Sequence, residues 1–211
     1  MEKHIQTVTI HGAKGEYEPV KSLHPPIYQT VSFEQRGQSV ITHRDTELKY
    51  SREEYPTVML LEKKLALLEE GEDALCFASG MSAIATTLVN FLSKGDKVLM
   101  PYESYGTTQK LVKRLAEKFG IEPILVFPDT EEILKRLDKD IKVLFLETIT
   151  NPTLKVFDIP RLARACRETG TVFIVDNTFA TPVLYKPLKD GANAVVHSLT
   201  KYMVGHADAV G

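Results

Sequence analysis

The chain has 211 residues, 43% of them hydrophobic, and a formal net charge of −2. That is material for one sizeable core, with no electrostatic claim on nucleic acid or on an anionic membrane. No apolar run approaches the roughly 20 residues that span a bilayer. The N-terminus has no apolar signal core, and Cys76 and Cys166 lie outside any metal-ligand spacing. A reduced, cytoplasmic protein with no metal site is the expectation.

Residues 1–50 carry Pro19, Pro25 and Pro26 and little periodicity. They read as an extended N-terminal arm that cannot bury much of itself and so lies on another surface. From Pro56 the texture changes. "PTVMLLEKKLALLEEG" predicts a helix with Val58, Leu61, Leu65 and Leu68 on one face, closed by Gly71. An alternation follows. "DALCFASG", "DKVLMP", "IEPILVFP", "IKVLFLET", "TVFIVD" and "ANAVVHS" read as buried strands. Helices fill most of the gaps between them, one opened by Asp129 and Glu132 at capping-box spacing. Continuous apolar strands separated by helices predict an α/β fold: a mostly parallel sheet covered on both faces, spanning 51–211.

In such a sheet ligands bind beyond the C-terminal strand ends. Ser79, Gly80 and Met81 follow the first strand at a helix N-terminus. They suit an anion, because N–H groups there are unpaired and carry the positive end of the dipole, and they equally suit an ordinary cap beside a close-packed glycine. Glu147 and Asn151 follow "KVLFL". Asp176 ends "TVFIV", where a carboxylate needs a cationic or hydrogen-bonding partner. It reads as a metal ligand, a catalytic acid, the partner of a protonated ring nitrogen, or a helix cap. Ser198, Thr200 and Lys201 follow "AVVH". A lone lysine there is a surface charge. Together with an anion-binding helix end and a strand-end aspartate it fits pyridoxal phosphate. That cofactor needs a phosphate cradle, a lysine amine for its aldehyde and an acid to keep its ring protonated. Tyr105 reads either as a face for that ring or as a core tyrosine.

The motifs "YSR", "LEKKLALLE", "FASGMSAI", "YGTT", "ETITNP", "VDNTFATP" and "HSLTKYMVGHAD" stand in one order. In them the chain resembles the Cys/Met-metabolism family of pyridoxal-phosphate enzymes, from "HPPIYQTVSFE" to Gly211. The resemblance implies the large domain of the aspartate-aminotransferase-like, fold type I enzymes. It implies roles by position. Lys201 carries the cofactor and shuttles protons, Asp176 pairs with the ring nitrogen, Asn151 bonds the phenolic oxygen, and Tyr105 stacks on the ring and assists proton transfer, so Lys201, Tyr105 and Asp176 are the expected catalytic residues. Gly80 and Met81, through backbone N–H groups, and Ser198 and Thr200, through hydroxyls, hold the phosphate. Tyr50 and Arg52 reach the phosphate of a neighbouring subunit, in a dimer that shares its sites within a homotetramer. Arg52 suits the task because its planar fork grips phosphate in a bidentate way.

The implied activity is γ-replacement or γ-elimination on homoserine-derived or sulfur amino acids. Cystathionine γ-synthase is the first choice, with cystathionine γ-lyase and methionine γ-lyase as alternatives. Two positions depart from the family pattern. Tyr55 replaces an asparagine after "YSR", and Thr107 stands where methionine γ-lyases place cysteine. The ending "ADAVG" reads as a strand cut short, before the smaller C-terminal domain that carries the substrate-carboxylate arginine in this family. A catalytically dead cofactor-binding fragment is therefore the competing expectation.

Overall fold

The computed structural model describes residues 4–12, 24–34 and 48–211. Much of the expected arm, including Pro19, thus lies outside the described residues. Two compact units divide the chain, residues 1–76 and 77–211.

In the first unit a short helix α1 (Ile5–His11) packs against α2 (Pro56–Glu69). Val31 and Phe33 exchange backbone hydrogen bonds with Ser51 and Lys49 around an antiparallel Ser32–Tyr50 bridge. The expected helix after Pro56 forms, with proline in its first turn, where a missing N–H costs nothing. Its buried face differs from the expectation. Met59, Leu60, Ala66 and Leu68 are buried, whereas Val58 and Leu61 are exposed. The left-handed residue that closes it is Glu70, at φ 57°, and the N–H of Gly71 bonds the carbonyl of Ala66.

The second unit is a five-stranded parallel sheet: β1 (Lys97–Pro101), β2 (Glu122–Val126), β3 (Ile141–Glu147), β4 (Val172–Asp176) and β5 (Ala194–Val196), in the order β2-β1-β3-β4-β5. Side chains alternate between its two faces, as the two-residue period requires. Val98, Met100, Val143, Phe145, Ile174 and Val196 pack under α3 (Gly80–Phe91) and α4 (Gly106–Phe119). On the other face Leu99, Leu144, Leu146, Phe173 and Val175 pack under α5 (Thr130–Arg136) and α6 (Ile159–Thr169). A four-residue helix, α7 (Thr181–Leu184), follows β4. The sheet is therefore buried on both sides, which explains its unbroken apolar strands.

Two local expectations change. "DALCFASG" forms no strand. It joins no ladder before α3; Leu75 is 65% exposed, and the Cys76 N–H goes to the Glu62 carboxylate at 2.7 Å. At α5 only half of the capping box forms. Asp129 accepts from the N–H groups of Glu131 and Glu132, while the Glu132 carboxylate pairs with Lys135 at 2.6 Å. The strand order reverses between β1 and β3, so a crevice opens at their C-terminal ends.

Candidate functional site

The C-terminal rim of the sheet gathers most of the expected residues. Ser79 caps α3: its hydroxyl accepts from the Ser82 N–H at 3.2 Å and pairs with the Ser82 hydroxyl at 2.9 Å. The N–H groups of Gly80 and Met81, one step earlier, have no acceptor among the described residues. Gly80 lies against the loop after β5. A Cβ built on it would come within 2.7 Å of Ser198 Cβ and 2.8 Å of Ser198 Cα. Only a glycine allows that approach. Met81 is held by its sulfur, which accepts from the Thr108 hydroxyl at 3.9 Å.

Asp176 and Ser198 are joined through a residue that sequence reasoning did not single out. One Asp176 oxygen, Oδ1, accepts from both the N–H of Thr178, at 3.0 Å, and its hydroxyl, at 2.5 Å. The same hydroxyl oxygen accepts the Ser198 N–H at 2.8 Å. Thr178 thus relays the β4 carboxylate to the β5 loop. An Asp followed two residues later by Thr is the signal that could have found it. Burial raises the Asp176 carboxyl above its ordinary value, against the lowering pull of the Thr178 bonds and the His197 charge.

Lys201 stands in the turn after β5 with its side chain exposed. Its N–H bonds the Ser198 carbonyl at 3.2 Å, and its carbonyl accepts from Gly205 at 2.8 Å. The neighbouring Tyr202 packs edge-on against Phe179 of the Asp176 loop, centroids 5.6 Å apart. Thr200 has a backbone partner: its hydroxyl donates to the Gly211 carbonyl and accepts the Gly211 N–H, both at 3.1 Å.

Across the β1–β3 crevice, Glu147 is buried at the end of β3. Its Oε1 accepts the N–H of Tyr105 at 2.5 Å, and its Oε2 accepts the N–H of Asn151 at 3.0 Å. Tyr105 precedes α4 and is 44% exposed, which makes it a rim aromatic and not a core one. Glu147 pairs in register with Asp176. Burial, then the neighbouring Asp176 charge, pushes the Glu147 carboxyl up to about 7, and the two backbone bonds oppose that rise.

Tyr50 and Arg52 belong to the first unit. The Arg52 guanidinium lies 4.8 Å from the centroid of the Tyr50 ring, a cation–π contact, and Arg52 is exposed.

A parallel, doubly covered sheet with a helix N-terminus, an acid and a lysine on its C-terminal rim is an architecture suited to a cofactor. Residues 6–211 match the family model "Cys/Met metabolism PLP-dependent enzyme", and the chain belongs to that family. It is 42% identical over 197 residues to L-methionine gamma-lyase of Fusobacterium nucleatum subsp. polymorphum, a match that covers 90% of this chain and 49% of that protein. The cystathionine gamma synthase of Xanthomonas oryzae pv. oryzae, solved with aminoacrylate and cysteine, superposes with a TM-score of 0.91. The two are 31% identical over 100% of this chain and 54% of the other. The Campylobacter jejuni protein assigned as an O-acetylhomoserine (thiol)-lyase gives 0.88 at 32% identity, over 99% of this chain and 52% of its own. It was solved with N'-pyridoxyl-lysine-5'-monophosphate in its chain. The chain spans about half the length of these relatives. The fold is that of the fold type I pyridoxal-phosphate enzymes, as the resemblance implied.

Proposed function

We propose that the rim holds pyridoxal phosphate through Lys201 and that the whole protein catalyses γ-replacement on a homoserine-derived amino acid, the cystathionine γ-synthase reaction. The observation that carries the reading is the Asp176–Thr178–Ser198 relay. It ties a strand-end acid to the loop that presents Lys201, beside a helix end whose Gly80 and Met81 N–H groups have no acceptor among the described residues. These groups fit the cofactor: N–H donors and Gly80 for a phosphate, an acid for a ring nitrogen, an exposed amine for an aldehyde.

When bound, the cofactor withdraws electrons from the substrate α-carbon. The chain's own residues do the rest. The Gly80 and Met81 N–H groups and the Ser198 and Thr200 hydroxyls bind the phosphate, Thr200 exchanging its bond to the Gly211 carbonyl for one to the phosphate. Asp176 holds a proton on the ring nitrogen. A cationic ring beside it would act in the same sense as the His197 charge and draw the raised carboxyl back toward ionisation. Tyr105 covers the ring face, and Asn151 orients the ring through the phenolic oxygen. Lys201, on a mobile four-carbon stem, moves protons at the substrate α- and β-carbons as the γ-substituent departs. Tyr50, the last residue of the arm, and Arg52 just after it serve the phosphate of a second subunit, in a cytoplasmic dimer of shared sites within a tetramer.

A γ-lyase is the second reading, favoured by the 42% identity to a methionine gamma-lyase. Thr107, where methionine γ-lyases place cysteine, speaks against that enzyme. The test is product analysis by mass spectrometry on the whole protein, offered O-succinylhomoserine or O-acetylhomoserine with cysteine, then cystathionine and methionine alone. The account expects cystathionine from the esters. Ammonia and a 2-oxo acid from methionine, with no cystathionine from either ester, would replace the synthase reading by the lyase one.

A further inference from the structure

We propose that Glu147 is a positioning residue that locks Tyr105 and Asn151 into one arrangement, bonding the backbone N–H of each through a separate carboxylate oxygen. The proposal rests on the reading of the rim as a pyridoxal-phosphate site. There, Tyr105 and Asn151 set the tilt of the ring from two different loops, one after β1 and one after β3. These loops face each other where the strand order reverses, so no strand ladder joins them beyond the strand ends. Glu147 bridges the gap. An ionised carboxylate suits this role because both of its oxygens accept and neither donates. A glutamine of the same shape has one acceptor and would turn an NH2 toward the other N–H.

The location argues for function over plain stability. Glu147 is buried and stands beside Asp176 in the adjacent strand, so two carboxylates share one rim. Like charges side by side in a dry place oppose folding. An apolar residue at the end of β3 would avoid that repulsion but would leave two N–H groups unclamped. The bonds it makes go to backbone, one N–H on each oxygen, which is the pattern of a group that holds two loops.

The test compares the holoenzyme with its Glu147→Gln and Glu147→Asp variants. Far-ultraviolet circular dichroism reports the fold, cofactor stoichiometry the binding, visible circular dichroism the ring's orientation, and steady-state kinetics the consequence. The account expects Glu147→Gln to keep its fold and bound cofactor and to lose about half or more of the visible dichroism. Its kcat should fall by roughly tenfold or more with KM changed by less than about threefold, the pattern of lost orientation. Glu147→Asp, which keeps two acceptors, should recover part of both signals. A Glu147→Gln protein with turnover within about twofold of the parent and an unchanged visible spectrum would overturn the proposal. Should Glu147→Gln fail to fold, hydrogen exchange on the unsubstituted holoenzyme decides. The Tyr105 and Asn151 amides must be protected together, and unrelated, unprotected rates would overturn the clamp. A parent that binds no pyridoxal phosphate would overturn the reading of the site, and the proposal with it. A parent that binds it beside an unaffected variant overturns the proposal alone.

Discussion

Asp176 ends β4 with one oxygen tied to Thr178, and burial drives its carboxyl toward the neutral form. A protonated ring nitrogen reverses that drive, so charge and not shape is what the position supplies. Asp176→Asn is therefore expected to retain cofactor and to lose roughly a hundredfold or more in kcat, the scale of one preorganised charge partner. Steady-state kinetics with a cofactor assay checks it, and activity within about tenfold of the parent would reject the role. Glu147 has a separate signature in stability. Its folded-state carboxyl lies at about 7, above its ordinary value of 4.5, so the folded protein holds that proton more tightly than the unfolded one. The fold is then most stable below the unfolded value, and stability falls as pH climbs from 4.5 to 7. The ceiling on that loss is about 3 kcal/mol. Urea titrations of the apoprotein across this range should show the slope, and Glu147→Gln should flatten it. An identical slope in the variant would mean that other groups carry the dependence.

At the scale of elements, the N-terminus of α3 makes the sharpest claim. Alanine is the better helix former by about 1 kcal/mol, so propensity alone says that Gly80→Ala should stabilise α3. Its Cβ, however, would be 2.7 Å from Ser198 Cβ and 2.8 Å from Ser198 Cα, closer than carbon atoms approach. The β5 loop must retreat, and the Ser198 N–H then pulls away from Thr178. The expected result is cofactor affinity weakened by about tenfold or more, measured by absorbance titration, with helix content unchanged. Affinity within about twofold would show that the cradle does not depend on this contact. The same elements show what was legible beforehand. Strands β1 to β5, their helices and the rim positions of Asp176 and Lys201 follow from apolar runs and what ends them. The buried face of α2 does not. Val58, Met59, Leu60, Leu61, Leu65, Ala66, Leu67 and Leu68 clothe the helix almost all round, and periodicity cannot choose among them. Nor does α1, whose "IQTVTIH" is rich in β-branched residues and gains its helix by packing on α2. "DALCFA" shows the opposite error: an apolar run looks like a strand, but a strand also needs a neighbour. The Glu147 bonds and the Thr178–Ser198 bond run across loops, which no local pattern encodes; only the Thr178–Asp176 bonds have a local signal.

At the scale of the whole molecule, the account places Tyr50 and Arg52 on the site of a second subunit. Arg52→Ala should then weaken cofactor binding, and mixing should repair it. Co-assembled Arg52→Ala and Lys201→Ala chains would create some sites with lysine from one chain and arginine from the other. Activity should return in the mixture that neither variant shows alone. Verified mixed oligomers without recovery would mean that the arm serves its own subunit. The chain spans about half the length of its relatives, so these assays belong to the whole protein.

All of these roles depend on Lys201 being the residue that carries the cofactor. Borohydride reduction of the purified, cofactor-loaded protein, followed by proteolysis and mass spectrometry, tests that most directly. The account predicts a pyridoxyl group on the peptide containing Lys201, and its disappearance, with the visible band, in Lys201→Ala. A label fixed to any other lysine, or a reducible chromophore that survives in Lys201→Ala, would contradict it.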